Sequence, residues 1–166
     1  MTGVQTCALP IFLSVGCCGT NDEQLLNKVI VASDIYEGDF NDIENIHFVK
    51  TNSGIYNYLR QEIFSLRIPL ITTDQFINSE VYAQELTKYF RLQNQSVAFD
   101  MEAFAGSYAV SQVPETNAMF IPVKIVSDCL GQDYDEFWKS ADKRRIGEVT
   151  IKALTFIKKY LNGENS

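Results

Sequence analysis

Polar side chains follow three predicted strands of this chain. They are Asp74, then Asp100 and Glu102, then Ser127 and Asp128. In α/β folds, ligands bind beyond the carboxyl ends of the strands. A carboxyl group can donate or accept a proton there, and it can also accept hydrogen bonds from a substrate. The residues therefore predict a small-molecule site at one edge of a sheet, without naming its reaction.

Short apolar strands alternate with amphipathic helices along the chain. The predicted strands are Phe12–Val15, Lys28–Tyr36, His47–Lys50, Ile68–Thr72, Ser96–Phe99 and Met119–Val126. The predicted helices are Ile55–Phe64, a helix capped by Asn78 or Ser79 that runs through Phe90, Met101–Val113 and Tyr134–Leu161. The small residues of Gly16-Cys17-Cys18-Gly19 predict a tight turn after the first strand. This alternation predicts a three-layer αβα sandwich with a mixed, largely parallel sheet.

Composition excludes several classes of function. The chain has 166 residues and a formal net charge of −7, which argues against nucleic acid as the main partner. No apolar run approaches the roughly 18–20 residues of a membrane span, so we expect a cytoplasmic protein. Four cysteines and a single histidine occur without CxxC spacing, so neither a zinc site nor a disulfide framework is predicted. We expect no metal and no organic cofactor.

The first eleven residues, MTGVQTCALPI, read as a translated sequencing adapter. One codon choice for this string, beginning with GTG, spells a widely used short-read adapter. A signal peptide is the competing interpretation, but the segment lacks a basic n-region. We therefore expect residues 1–11 to be an artefact, and the protein to continue upstream of Phe12. Residues 12–166 would then be the C-terminal two-thirds of a single domain.

Four blocks, in order, resemble the purine nucleoside phosphorylase and nucleosidase superfamily, and within it the methylthioadenosine/adenosylhomocysteine nucleosidases. Gly16-Cys17-Cys18-Gly19 stands where the family has a Gly-Ser-Ala-Gly turn, and Ile71–Ile77 resembles the family's "SGDAFI" segment. Phe99–Ala103 (FDMEA) resembles "VEMEA", and Val123–Asp128 (VKIVSD) resembles "VRAISD". The last two blocks, at this separation, are the most specific part of the resemblance.

The resemblance implies that water cleaves the N-glycosidic bond of an adenine nucleoside of the methylthioadenosine or adenosylhomocysteine type. Asp128 matches the acid that protonates purine N7, and Ser127 would orient it. Glu102 matches the carboxylate that binds the ribose hydroxyls. Phe76 would stack on the base, Ile77 would offer it backbone hydrogen bonds and Met101 would pack under the ribose. The resemblance also places Cys17, Cys18, Gly19 and Asp100 at the substrate.

Alternatives stay open at this point. Phosphate instead of water is the nucleophile of related phosphorylases, and a non-catalytic nucleoside-binding module on the same fold is a third hypothesis. Taken singly, Asp128 is more typical of a helix cap or turn, and Phe76 and Met101 are more typical of a core. Asp100 could be the N-cap of the helix that follows it. Cys17 replaces a serine of the family, and Asp100 a glutamate.

The resemblance further implies a homodimer or larger homo-oligomer for the full-length protein. The family's N-terminal part, which carries the residues that handle water or phosphate, has no counterpart in this sequence. We therefore expect the chain as written to be inactive and prone to aggregate through exposed strand edges.

Overall fold

A computed structural model describes residues 10–39, 47–51, 54, 56, 57, 59, 63, 65–113, 117–132, 134–139 and 143–163. Its strands are β1 (Ile11–Thr20), β2 (Val29–Glu37), β3 (Phe48–Lys50), β4 (Leu66–Thr72), β5 (Ala98–Asp100) and β6 (Met119–Cys129). Its helices are α1 (Glu80–Tyr89), α2 (Ala103–Ser111), α3 (Tyr134–Lys139) and α4 (Lys143–Leu161), with a 3₁₀ turn at Glu23–Leu25. The described residues between 54 and 63 are also helical, as predicted.

The six strands form one mixed sheet in the order β3-β2-β4-β5-β1-β6. The longest ladders, β1 with β6 and β2 with β4, are parallel, and so is β4 with β5. The ladders of β1 with β5 and of β2 with β3 are antiparallel. Three residues of β2 also pair antiparallel with β6, so the sheet curls until these two strands meet. The predicted mixed, largely parallel sheet is confirmed.

Successive residues of β2 point to opposite faces of the sheet, which gives the molecule three layers. Val31 packs in one apolar cluster with Ala153 of α4. Its neighbour Ile30 packs in a second cluster with Phe104 of α2. The predicted αβα sandwich is therefore confirmed, and α2 and α4 cover opposite faces.

Helix α1 begins where the sequence predicts. Ser79 is its N-cap, and the Ser79 hydroxyl accepts a hydrogen bond from the backbone N–H of Tyr82 at 3.4 Å. The predicted helix over Tyr134–Leu161 is described as two helices, α3 and α4, and residues 140–142 lie outside the described part.

The predicted turn at Gly16–Gly19 is wrong. Strand β1 continues through these residues to Thr20 and stays paired with β6 as far as Cys129. The ladder shifts register between Cys18 and Gly19, so that Gly19 lies opposite Asp128. A Cβ atom at position 19 would lie 3.1 Å from Asp128 Oδ1. The small residue is needed because a carboxyl group packs against the strand, rather than because the chain turns there.

The segment interpreted as adapter is only partly described, since residues 1–9 lie outside the described part. Ile11 pairs with Met119 at the start of the β1–β6 ladder, and the carbonyl of Pro10 accepts a hydrogen bond from the Met119 N–H at 2.9 Å. Within the described residues, no helix is both long and apolar enough to cross a membrane.

Candidate functional site

A cavity of about 460 Å³ opens where β1, the junction of β5 and α2, and the end of β6 meet. These segments adjoin because β5 and β6 flank β1 in the sheet. The predicted site residues that line this cavity are Cys17, Cys18, Gly19, Phe76, Asp100, Met101, Glu102, Ser127 and Asp128. Ile77 and Asp74 do not line it. Asp74 is exposed, and its backbone N–H donates to the carboxylate of Asp39.

Asp128 is 1% exposed, and both of its carboxyl oxygens have protein partners. The backbone N–H of Gly131 donates to Oδ1 at 2.8 Å, which is the turn role expected of an isolated aspartate. The Ser127 hydroxyl lies 2.9 Å from Oδ2 and 3.2 Å from the carbonyl oxygen of Cys18. Ser127 can donate to an ionised Asp128, or donate to Cys18 and accept the proton of a neutral Asp128. The arrangement thus suits both protonation states.

Lys124 forms the buried floor of the cavity, with only 2% of its side chain exposed. Its Nζ lies 2.8 Å from Asp100 Oδ2 and 3.1 Å from Glu102 Oε2. Burial by itself lowers the pKa of Lys124, but the attraction and hydrogen bonds of Asp100, together with those of Glu102, outweigh it and raise this pKa. Lys124 therefore remains an ammonium ion.

Asp100 has three protein donors. The Thr72 hydroxyl donates to its Oδ1 at 2.6 Å, and Oδ2 accepts from the Ala103 N–H at 3.1 Å as well as from Lys124. The Ala103 contact is the helix-capping role that the sequence left open. Asp100 holds Lys124 and the start of α2.

Sequence reasoning missed Lys124 as a site residue, although a signal was present. Lys124 is the single charged residue in the apolar run MFIPVKIV, which forms a strand buried on both faces. A charge at such a position requires a buried partner. Asp100 and Glu102, at the end of a neighbouring predicted strand, were the available carboxylates.

The rim of the cavity is exposed to solvent, and two apolar side chains and one carboxylate form it. Phe76 and Met101 are 44% and 47% exposed, and the side chain of Glu102 is 70% exposed. The loop that carries Phe76 lies close to the turn that follows Asp128. A Cβ atom added at Gly131 would lie 3.3 Å from Phe76 Cε1. The backbone of Gly131 has φ +82°, which a residue with a side chain rarely adopts.

Ile77 occupies a different environment from Phe76. It is buried in an apolar cluster with Ala83 and Leu86 of α1. It lines a side cleft of about 20 Å³ next to the main cavity.

Cys17 lines the cavity as a protonated thiol. Burial raises its pKa to about 11, Lys124 opposes that effect, and Asp128 and Glu102 add to it. Burial also raises the pKa of Cys18 well above its ordinary value. The described cysteines are all free thiols, and no cluster of three metal-ligating side chains occurs in the described part of the chain.

No protein-family model matches the chain, and no curated protein sequence matches it. Solved structures do. S-adenosylhomocysteine nucleosidase from Streptococcus pyogenes, in complex with 5-methylthiotubericidin, superposes with a TM-score of 0.67 at 17% identity, over 87% of this chain and 66% of that one. The 5'-methylthioadenosine/S-adenosylhomocysteine nucleosidase from Streptococcus pneumoniae gives 0.69 at 15% identity, over 87% and 69%. The Helicobacter pylori nucleosidase gives 0.66 at 19% identity, over 92% and 68%.

The chain has the nucleosidase fold. It spans about two-thirds of the length of each of these structures. A futalosine hydrolase mutant from Helicobacter pylori also superposes, with a TM-score of 0.66 at 16% identity. The nucleosidase fold predicted from the four sequence blocks is thus confirmed at the level of structure.

Proposed function

We propose that the cavity binds an adenine nucleoside, and that the complete enzyme cleaves its N-glycosidic bond with water. Asp128 protonates the leaving purine, and Glu102 holds the ribose hydroxyls. One observation carries the proposal: a buried carboxyl group with both oxygens fixed lies in the same cavity as an exposed aromatic ring and an exposed carboxylate. The solved nucleosidase structures of the same fold support it.

The leaving purine needs a proton because its departure with a full negative charge is costly. A positioned carboxylic acid contributes about 10²–10⁴-fold to such a step. The Asp128 proton goes to purine N7, and the Ser127 hydroxyl, 2.9 Å from Oδ2, can donate to the carboxylate that the transfer leaves behind. A carboxyl group can also accept from the 6-amino group of adenine, which favours adenine over a 6-oxo purine.

The sugar develops positive charge as the bond breaks, and negative groups on its side of the cavity stabilise that charge. Glu102 is exposed to the cavity, and Lys124 fixes one of its oxygens. The other oxygen is available to ribose hydroxyls. Met101, next in the chain, offers an apolar surface beneath the sugar ring.

The charge balance favours water over phosphate as the nucleophile. The described residues that line the cavity include three carboxylates, Asp100, Glu102 and Asp128, and a single cation, Lys124. Two of these carboxylates already form ion pairs with Lys124. A phosphate dianion in this part of the cavity would meet an excess of negative charge. This argues against the phosphorolytic alternative, as far as the described residues extend.

A non-catalytic nucleoside-binding module is the second candidate function. It is favoured because the ionisable residues that line the cavity already have roles other than activating water. Asp128 serves as the acid, Glu102 as the ribose ligand and Asp100 as the partner of Lys124. The thiol of Cys17 stays protonated, so it is a poor base and a poor nucleophile. Among the described residues that line the cavity, none remains to activate water. We therefore expect the chain as written to bind adenine nucleosides with little or no turnover.

Titration calorimetry of the purified chain with adenine and with methylthioadenosine tests the binding step. Alanine at position 128 removes both contacts with the purine, whereas asparagine could still pair with N7 and the 6-amino group of adenine. Asp128→Ala should therefore weaken adenine binding by at least about tenfold. Asp74→Ala is the matched control, since Asp74 is exposed at a neighbouring strand end and lies outside the cavity. Equal affinities of the two variants, or no adenine binding by the unaltered chain, would contradict the proposal.

Turnover separates hydrolase, phosphorylase and binding module. Chromatography measures the adenine that is released from methylthioadenosine, with and without phosphate. The assay compares the chain as written with the longest protein that its open reading frame encodes. We expect release from the longer product without phosphate. Release that requires phosphate would favour a phosphorylase, and tight binding with no release from either product would favour a binding module.

A further inference from the structure

Strand β1 has a free edge along most of its length. On one side it pairs with β6 from Ile11 to Thr20, whereas on the other side only Gly19 and Thr20 pair with the short strand β5. Between Ile11 and Cys18, no described strand pairs with this second side of β1. By contrast, β6 has β1 on one side and β2 on the other. The sheet is therefore open along β1, next to the main cavity.

The alternation of the backbone shows which groups are unpaired. The carbonyl of Pro10 accepts from the N–H of Met119 in β6. The backbone of Pro10, and of every second residue after it as far as Cys18, therefore points to β6. The residues between them present their N–H and C=O groups to the free edge, and these groups have no partner among the described residues; they are Ile11, Leu13, Val15 and Cys17. An extended strand is the structure that satisfies such a row of groups.

Two edges of the described sheet differ in how they are protected. The edge strand β3 has only three residues, Phe48–Lys50, and it ends in a lysine. Short length and a charged side chain are common means of preventing strand addition. Strand β1 has ten residues, and its sequence IFLSVGCCGT contains no charged residue. Neither means of protection is present at the free edge of β1.

We propose that the free edge of β1 pairs with the same edge of a second copy of this chain, as antiparallel strands related by a two-fold axis at Ser14. Leu13 then lies opposite Val15 of the partner subunit, and Ile11 lies opposite Cys17 of the partner subunit. Every outward backbone group gains a partner, which gives about eight hydrogen bonds between the copies. Because β6 occupies the other side of β1, the pairing closes at two copies and does not grow into a fibre. The inference does not depend on the reaction proposed above.

The side chains of β1 fit this register. Phe12 is 52% exposed, and in the dimer it lies opposite Gly16 of the partner subunit. Aromatic rings in a neighbouring strand commonly cover a glycine at such a position. Gly16 lines the main cavity, and a Cβ atom added there would lie 3.5 Å from Lys124 Nζ. Each copy would therefore cover one wall of the other copy's cavity with its Phe12 ring.

Sedimentation velocity over a range of protein concentrations tests the proposal. We expect the unaltered chain to be a dimer at high micromolar concentration. Ser14→Glu and Ser14→Lys each place two like charges opposite each other at the two-fold axis, so each should weaken dimerisation at least about tenfold. An equimolar mixture of the two variants should form a dimer again, because opposite charges then face each other. Recovery in the mixture also establishes that both variants are folded.

Gln84→Glu and Gln84→Lys are the controls, because Gln84 is exposed on α1 and the described apolar cluster of that helix contains no residue of β1. Both should dimerise like the unaltered chain. A monomer at every concentration would overturn the proposal and leave the edge to a strand of different sequence. A dimer that neither Ser14 variant weakens would place the contact on another surface, such as the apolar groove beside Phe12 and Phe120. Assemblies that keep growing with concentration would contradict a closed pair.

Discussion

Asp100, Met101 and Glu102 are consecutive, yet they belong to two different regions of the site. Asp100 is in the floor, where it is buried and every carboxylate oxygen has a protein donor. Met101 and Glu102 are in the rim, where about half or more of each side chain is exposed to the cavity. The hydrogen bonds of the floor are made within the protein, whereas the side chains of the rim leave surface that a ligand can contact. One motif thus holds a residue engaged by the protein and two residues that are exposed at the cavity.

The largest expected effect tests the floor. Lys124→Met leaves the buried carboxylate of Asp100 without its counter-charge, which should lower the free energy of unfolding by about 3–5 kcal/mol. Urea unfolding followed by circular dichroism measures this change.

Two further variants separate the floor from the rim in the same experiment. Adding Asp100→Asn to Lys124→Met should recover part of the loss, since the uncompensated charge is removed. Glu102→Gln removes only the ion pair between Lys124 and an exposed carboxylate. It should lower the free energy of unfolding by less than about 1 kcal/mol. If Glu102→Gln lowered the free energy of unfolding as much as Lys124→Met, the distinction between floor and rim would be wrong.

The next effect tests the rim. Phe76→Ala should weaken adenine binding by about 1–3 kcal/mol, the contribution of an aromatic ring stacked on a base. It should change the free energy of unfolding little, because the ring is 44% exposed. Phe48→Ala removes a phenyl ring that is 46% exposed but lies on β3, away from the cavity. Calorimetry should find adenine affinity unchanged in that control. Equal losses in the two variants would refute stacking on Phe76.

The smallest effect concerns Cys17, which lies between floor and rim. Its pKa of about 11, against an ordinary value of 9.0, is higher by about two pH units, so its thiolate fraction near neutral pH is about a hundredfold lower than that of a free thiol. Alkylation by iodoacetamide, read by mass spectrometry, should be slow at pH 8 and still rising at about pH 10. A peptide thiol serves as the reference. A rate at pH 8 equal to that of the peptide would contradict the protonated thiol.

Much of the fold was predictable because β-branched runs and helical periodicity are local signals. The strand predicted at Met119–Val126 is β6, and Ser79 caps α1 as expected. The turn at Gly16–Gly19 was mispredicted for a non-local reason. Gly19 is small because it lies opposite Asp128 in the sheet, which is more than a hundred positions away in sequence.

The site was predictable through its motifs, but the roles within it were not. Sequence alone could not distinguish the buried Asp100 from the exposed Glu102, since only the packing of Asp100 against Thr72 and Ala103 separates them. Lys124 was overlooked although a charge in a buried strand signals a buried partner, and only the packing shows that its partners are Asp100 and Glu102.

A crystal structure of the chain with adenine bound tests the central claim most directly. We predict a purine ring lying against Phe76, with N7 at about 3 Å from the carboxyl group of Asp128. Adenine bound elsewhere, for example in the apolar groove between Phe12 and Phe120, or a cavity that stays empty at saturating adenine, would contradict the claim.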